Sequence, residues 1–230
     1  MEDKYNMSFS KFALDTANKL RPVLTKIVPA GLLSAVKAKI VEKNTNSLSN
    51  VQIEPFDKSK YDRGINLIGN IRGDNGLGQS TRLIADIIDK SEIPFTINNF
   101  FVPPGGSMTD KSYDYKITDM ASYGVNVIHV NASEFTLCYM EYGNKLWDYR
   151  YNIAYWLWEL EEFPEEWLNN INLVDEIWTP AEFISNTLRK YTDKPVTTVP
   201  YCVTAPTDDK YDRKYFNLPE DKFLFLMMFA

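Results

Sequence analysis

A glycine-rich loop is the first part of this sequence whose residue types and spacing suggest chemistry. Residues 72–80 read RGDNGLGQS, and they stand between a short apolar run and a segment whose apolar residues have helical spacing. Glycines let a backbone approach a ligand closely, and the first N–H groups of a helix attract phosphate or another anion. The Arg72 side chain is placed to add a charge-assisted contact. Because no Gly-Lys-Ser/Thr follows and the glycine spacing does not match GxGxxG, a tight strand-to-helix turn explains the loop equally well.

His129 is the only histidine of the chain, and it stands near the end of an apolar run, VNVIHV. Histidine is the side chain whose unperturbed pKa lies closest to neutrality, so it suits proton transfer and hydrogen bonding to a ligand. A single histidine in an apolar strand is also often a core residue that bonds to the backbone. Both interpretations stay open at this point.

A third group combines aromatic and acidic residues. Glu159, Glu161 and Glu162 follow closely on Trp156 and Trp158. Paired carboxylates can serve as general acid and base, and aromatic faces beside polar groups suit sugar rings. A solvated acidic face next to a buried tryptophan cluster explains the same residues without any ligand.

Apolar runs alternate with helix-like segments after Arg63, and this alternation predicts the elements that position these residues. The predicted strands are Ile65–Ile71, Phe95–Phe100, Val125–Val130, Tyr151–Trp158, Glu176–Thr179 and Val196–Pro200. The predicted helices are Thr81–Lys90, Ser133–Tyr142, Glu165–Val174 and Ala181–Tyr191. This order is typical of an α/β fold with a parallel sheet and helices on both faces. Ligands bind beyond the carboxyl ends of such strands, which is where the glycine loop, His129 and Trp158 are expected.

The first 62 residues differ from the rest in charge and pattern. Residues 11–43 hold seven basic residues against two acidic ones, in predicted short helical pieces that break at Pro22 and Pro29. A basic helix with an apolar side suits the surface of an anionic membrane, and it equally suits packing on an acidic domain with its lysines in water. The polar stretch from Glu42 to Asp62 predicts a linker.

Composition argues against several kinds of protein and site. The net charge of −6 and the isoelectric point of about 5.0 argue against nucleic-acid binding. One histidine and two distant cysteines, Cys138 and Cys202, indicate neither a metal centre nor a disulfide framework. No apolar run is long enough to span a bilayer, and the acidic start lacks the features of a secretion signal. We therefore expect a cytoplasmic protein, with residues 11–43 as its one candidate contact with the inner face of a membrane.

Several motifs, taken in order, resemble one large enzyme family. They are NLIGNIRGDNGLGQSTRLIADII, VNVIHVN, YNIAYWLWELEEFPEEWLNNINLVDEIWTPAEFISNTL and VTTVPYCV. Together they resemble the amino-terminal half of the retaining group 1 glycosyltransferases, glycosyltransferase family 4. The resemblance covers about Gly64 to Ala205, and its most specific part is a strand that ends in DEIWTP and leads into a helix.

The resemblance implies the B-type glycosyltransferase fold, in which two Rossmann-like domains face each other across a cleft. It also implies roles for individual residues. The donor-phosphate loop would consist of Arg72, Gly76, Leu77 and Gly78. His129 would act in catalysis as a hydrogen-bond partner of the transferred hexose, and Trp158 and Glu159 would line the acceptor side. Enzymes of this kind usually need no metal or other cofactor, and their nucleotide-sugar is a substrate.

The same resemblance divides the chain into three parts. Residues 1–62 are the basic helical segment and linker, and 63–212 the Rossmann-like acceptor-side domain. In 213–230, RKYFNLPED resembles the crossover to a donor domain and KFLFLMMFA its first strand. The E-x7-E motif that holds the donor sugar normally belongs to that second domain. We therefore expect a chain that is incomplete for catalysis on its own.

The expected function is that of a domain from an enzyme that transfers a hexose from a nucleotide-sugar to a cell-envelope glycan or lipid-linked acceptor. One alternative is a non-catalytic binding module that pairs with a separately encoded donor domain. The other is a different nucleotide-binding α/β enzyme, such as an epimerase, for which the sequence offers no cofactor fingerprint.

Overall fold

One parallel sheet forms the centre of the molecule. The computed structural model describes residues 51–102, 106–204, 208 and 210–227, together with Lys39 and Leu48. The strands of the sheet are β1 (Asp62–Gly69), β2 (Phe95–Asn99), β3 (Tyr123–His129), β4 (Tyr151–Tyr155), β5 (Glu176–Thr179) and β6 (Val196–Thr198). They lie in the order β2-β1-β3-β4-β5-β6, and every neighbouring pair is parallel. The predicted α/β, Rossmann-like class is confirmed.

Helices cover both faces of this sheet. They are α1 (Gly76–Lys90), α2 (Ala132–Tyr142), α3 (Asn144–Trp147) and α4 (Glu182–Leu188), with 3₁₀ helices at Asp114–Lys116 and Glu165–Leu173. Successive strand residues point to opposite faces, so Leu67 packs with α1 while Ile68 packs with α2 and α4. The two faces therefore carry two separate apolar cores, both shielded from water.

Most predicted elements differ from the structure in their bounds. The helix predicted from Thr81 begins at Gly76, and the strand predicted as Ile65–Ile71 spans Asp62–Gly69. The strand predicted as Tyr151–Trp158 ends at Tyr155, because the chain turns there and the Leu157 N–H donates to the Asn131 side chain. The helix predicted over Glu165–Val174 is a 3₁₀ helix. These differences leave the order of the elements unchanged.

The described part of the predicted linker is packed against the domain. Leu48 is fully buried in the core on the α2 face, and Val51 and Ile53 pack against that core. The backbone around Glu54 and Asp57 exchanges hydrogen bonds with residues 148–149. Apart from Lys39, which is helical and exposed, the predicted membrane-contact segment 11–43 lies outside the described residues.

The carboxy-terminal segment is the part of the described chain that exposes the most apolar surface. In 222–227 the side chains of Phe225 and Leu226 are 88% and 86% exposed, and these residues pair with none of the six strands. The division of the chain into three parts stays a prediction. Among the described residues, no helix has the length and apolar character that a bilayer crossing requires.

A ladder of buried asparagines joins the three central strands. Asn66, Asn126 and Asn152 are adjacent in register on β1, β3 and β4. The Asn66 amide donates to Asn126 and the Asn126 amide donates to Asn152, each at 2.8 Å. The ends of the ladder are closed by backbone groups, including the Tyr123 N–H and the Arg150 carbonyl. Every polar atom of these amides has a partner, which a buried network requires for stability.

Arg150 is a buried cation beside this ladder, at the amino-terminal edge of the sheet. Its side chain is 3% exposed, and its guanidinium donates to the carbonyls of Tyr123, Leu146 and Ala121 while lying 3.6 Å from the centre of the Tyr61 ring. Burial lowers the pKa of Arg150 from its usual value. Backbone dipoles and an aromatic face thus stabilise a charge that has no carboxylate within salt-bridge distance among the described residues.

The ladder yields a test of the fold. We expect Asn126→Ala to lower the free energy of unfolding by about 2–4 kcal/mol, because it leaves the buried side-chain oxygen of Asn152 without its donor and removes an acceptor of the Asn66 amide. Urea denaturation measures this change. Asn172→Ala is the matched control, since Asn172 is exposed. Equal stability of the two variants would contradict a stabilising role for the ladder.

Candidate functional site

The order of the strands places a crevice between β1 and β3. The chain leaves β1 toward β2 on one side and then returns to place β3 on the other. The connection after β1 leads to α1 on one face, and the connection after β3 leads to α2 on the opposite face. Ligands of open parallel sheets bind where two such connections diverge at the carboxyl ends of the strands. The glycine loop and His129 both lie at this point.

Local geometry explains two of the glycines in the loop. Asn75 caps α1, and its side-chain oxygen accepts the Gly78 N–H at 2.9 Å. The turn is so tight that a Cβ on Gly78 would lie 2.0 Å from the Gly73 carbonyl oxygen. A Cβ on Gly76, in contrast, would meet no heavy atom within 4 Å. Gly78 is therefore required by the fold, whereas Gly76 lies beside open space.

That open space lies at the start of α1, where helix N–H groups lack intrahelical acceptors. The Asn75 side chain occupies the Gly78 N–H, and the N–H groups of Gly76 and Leu77 have no hydrogen-bond partner among the described residues. The partial positive charge of a helix start adds to their attraction for an anion. A phosphate group fits these donors chemically.

The arginines of the loop are already engaged. Arg72 forms an ion pair of 2.7 Å with Asp114, and its side chain is 41% exposed. Arg82 donates to the carbonyls of Ile71 and Gly73, and it lies 3.4 Å from Asp110. Arg82 thus fixes the conformation of the loop. The charge of Arg72 is already paired with the Asp114 carboxylate, which would lie beside any anion that Arg72 contacts. The predicted phosphate contact of Arg72 stays a prediction.

Two side chains add polar character to the loop. The Asn70 side-chain oxygen is buried and has no partner among the described residues. Asp74 accepts hydrogen bonds from Thr109, and a hydrogen bond from Ser107 is the main cause that lowers the pKa of its carboxyl. The loop is therefore tied to 107–109, while one acceptor at its base stays unsatisfied.

His129 ends β3 on the face that packs against α1, and it is 3% exposed. Its Nδ1 lies 3.2 Å from the Thr81 hydroxyl and its Nε2 lies 2.8 Å from the Tyr201 hydroxyl. The imidazole also stacks on the Tyr155 ring, with 5.1 Å between the ring centres. Both ring nitrogens are occupied by protein groups, so a ligand reaches Nε2 only by replacing the Tyr201 hydroxyl.

The neighbours of His129 define its protonation state. The Thr81 hydroxyl donates its single proton to the Leu77 carbonyl at 2.7 Å, so it accepts from Nδ1–H of His129. Nε2 then carries no proton and accepts from Tyr201. Burial lowers the pKa of His129 to about 4 and raises that of Tyr201 to about 12, so near neutral pH the imidazole is uncharged and the phenol keeps its proton.

The predicted acceptor residues lie at the same edge but on the other face of the sheet. Trp158 packs against the α2-side core, in edge contact with Trp167 at 5.0 Å between ring centres, and its indole N–H donates to the Glu162 carbonyl. Glu159 is exposed. The structure brings the glycine loop and His129 into one cluster, and it places Trp158 in a separate aromatic one. The acceptor-side role of Trp158 and Glu159 stays a prediction.

Sequence reasoning missed Thr81, Tyr155 and Tyr201, which surround His129. Thr81 carried a readable signal, because a hydroxyl residue four positions after Leu77 reaches back to that carbonyl in a helix. Tyr201 follows His129 by 72 residues, and only the tertiary fold brings them together.

A cavity of about 480 Å³ lies at the opposite, amino-terminal edge of the sheet. Residues 51–55, Arg150 and Lys194 are among its lining groups. The Lys194 ammonium donates to the carbonyls of Ile171 and Val174, and the Arg150 guanidinium is bound to carbonyls as described above. Both cations already donate to backbone carbonyls. This cavity is therefore a weaker candidate for a ligand site than the crevice between β1 and β3.

Metal-ligating side chains do not cluster in the described part of the chain. No group of three or more His, Cys, Asp or Glu residues there could hold a metal ion. Cys138 is buried and Cys202 exposed, and both are free thiols. The absence of a cofactor stays a prediction.

The lowered pKa of His129 makes stability depend on pH. Between about pH 6.5 and 4 the unfolded chain binds a proton at this residue that the folded chain does not, so stability is highest above pH 6.5 and falls on acidification. We expect a loss of roughly 3 kcal/mol over this window. Urea denaturation at a series of pH values measures it, with His129→Asn as the control. If both proteins lose stability in parallel, His129 is not neutral in the folded state.

Comparisons of the chain with protein-family models, with curated proteins and with solved structures found no match. The family resemblance therefore depends on the sequence motifs alone.

Proposed function

We propose that this chain is the acceptor-side domain of a retaining glycosyltransferase that moves a hexose from a nucleotide-sugar to a cell-envelope glycan or lipid-linked acceptor. One observation carries the proposal. The open start of α1 lies at the divergence of β1 and β3, and the N–H groups of Gly76 and Leu77 there have no partner within the part of the chain that the structure describes. The motifs that resemble family 4 include this loop and continue through the sheet.

The donor diphosphate would bind at the start of α1. Transfer breaks the bond between the anomeric carbon and a diphosphate oxygen, forms a bond from that carbon to an acceptor hydroxyl oxygen, and passes the hydroxyl proton to the leaving diphosphate. Negative charge then grows on the leaving diphosphate. Backbone N–H groups fixed at a helix start stabilise such charge without a metal ion.

The other requirements of the transfer, further positive charge and a second wall of the cleft, have to be met outside the glycine loop. Arg72 is close to the loop, but Asp114 neutralises it, so further positive charge has to come from a second domain. Transition-state stabilisation uses both walls of a cleft. The contribution proposed for this chain is therefore binding and orientation, with Trp158 and Glu159 on the acceptor side.

A binding module that pairs with a separately encoded donor domain is the second candidate. The exposed aromatic and aliphatic side chains of 222–227 favour it, because apolar surface of this kind usually marks a contact with another protein surface. In this case the same fold would serve assembly, and nucleotide binding at Gly76 would not be required.

The proposed location is cytoplasmic and peripheral at the inner face of a membrane. It depends on the basic composition of 11–43, whose seven basic residues would attract anionic lipids. The acceptor of a cell-envelope pathway would be presented at the same surface.

Gly76 gives the sharpest test of the proposed function. We expect UDP-glucose, ADP-glucose or GDP-mannose to bind the chain, with competition by inorganic diphosphate. We expect Gly76→Val to weaken this binding about tenfold or more, because the side chain fills the open space over the free N–H groups. Saturation-transfer NMR detects the binding, and a titration of the amide signals measures the affinity.

Gly124→Ala is the matched control, since its Cβ would lie at an ordinary 3.6 Å from the Asp62 carbonyl at the far edge of the sheet. It should bind like the unaltered chain. Failure of every nucleotide-sugar to bind at millimolar concentration would refute the donor-binding role. The binding module would then be the remaining candidate function. Equal binding by the Gly76 and Gly124 variants would place the ligand elsewhere.

A further inference from the structure

A continuous series of hydrogen bonds connects Tyr201 to the first turn of α1. The Tyr201 hydroxyl donates to His129 Nε2, and His129 Nδ1–H donates to the Thr81 hydroxyl. The Thr81 hydroxyl in turn donates to the carbonyl of Leu77. Leu77 is the second residue of α1, and its N–H, like that of Gly76, faces the crevice without a hydrogen-bond partner among the described residues.

Packing holds Tyr201 in place. Its ring stacks on Tyr155 with 5.2 Å between centres, and the Tyr155 hydroxyl donates to the Val199 carbonyl at 2.5 Å. The segment that follows β6 is thereby fastened to the end of β4. A phenol held in this way is a fixed hydrogen-bond donor to His129.

The direction of the series has a consequence for the loop. If Nε2 lost its donor, the imidazole could carry its proton there and leave Nδ1 as an acceptor. Thr81 has a single hydroxyl proton, so donating it to Nδ1 would end its own bond to the Leu77 carbonyl, which would keep the Ser80 hydroxyl as a side-chain donor at 3.1 Å. The tautomer of His129 therefore decides whether the Thr81 hydroxyl bonds to the first turn of α1.

We propose that Tyr201 is a positioning residue for the glycine loop, acting through the tautomer of His129 and the hydroxyl of Thr81. This inference rests on the proposed function, because it concerns the affinity of the same loop for a nucleoside diphosphate. It assigns His129 a role in holding the loop, in place of direct contact with the hexose. Tyr201 itself touches no phosphate in this arrangement.

The single histidine of the chain makes the series directly observable. One set of imidazole ¹⁵N signals belongs to His129 without any need for assignment. In the unaltered chain we expect a protonated Nδ1 and an unprotonated Nε2 at pH 7. Tyr201→Phe should change this pattern and speed hydrogen exchange at the amides of Ser80 and Thr81, while Tyr191→Phe, in the other aromatic cluster, should not.

Uridine diphosphate is the ligand probe. We expect Tyr201→Phe and Thr81→Val each to weaken the binding of uridine diphosphate about fivefold or more. Thr81→Ser keeps the hydroxyl, so it should bind uridine diphosphate like the unaltered chain. Unchanged imidazole signals and unchanged amide exchange in Tyr201→Phe would overturn the inference. If uridine diphosphate does not bind the unaltered chain, the proposed function fails separately, and the imidazole and exchange measurements still decide whether Tyr201 positions the loop.

Discussion

The asparagine ladder is the interaction on which the placement of the site depends. Asn66, Asn126 and Asn152 hold β1, β3 and β4 in one register through side-chain bonds of 2.8 Å. A slip of one residue would turn every side chain of a strand to the other face. His129 would then point toward α2, away from Thr81. Buried amides inside the strands thus determine which face the imidazole meets at the carboxyl end.

Charge is distributed very differently at the two edges of the sheet. At the amino-terminal edge, carbonyl groups surround the buried Arg150 and the half-buried Lys194, and these cations contribute to structure. At the carboxyl edge, Arg72 and Arg82 have carboxylate partners, while the backbone N–H groups of Gly76 and Leu77 have no hydrogen-bond partner among the described residues. An anion that binds there would be recognised mainly by geometry and helix polarity, so its affinity should depend only weakly on salt compared with that of a lysine-rich site.

Much of the fold was predictable because its signals are local. Apolar runs and turn residues predicted the order of strands and helices, but α1 begins at Gly76, inside the predicted glycine loop and five residues before the predicted start at Thr81. The site was predictable only in part. The sequence predicted the same phosphate-loop role for Gly76 and Gly78, and it could not distinguish the close approach of Gly78 to Gly73 from the open surroundings of Gly76. The contact of Tyr201 with His129 depends on how β6 lies relative to β3, which no local pattern encodes. The pairing of Arg72 with Asp114, which are 42 residues apart, was hidden for the same reason.

The contacts of Arg150 also bear on the order in which the chain folds. This side chain bonds to Tyr123, 27 residues away, and the Asn126–Asn152 bond spans 26 residues. The Asn66–Asn126 bond spans 60 residues. Closing a shorter loop costs less chain entropy. We therefore expect the contacts between β3 and β4 to close more readily than those between β1 and β3, so that the crevice between β1 and β3 is completed after the unit formed by β3, α2 and β4.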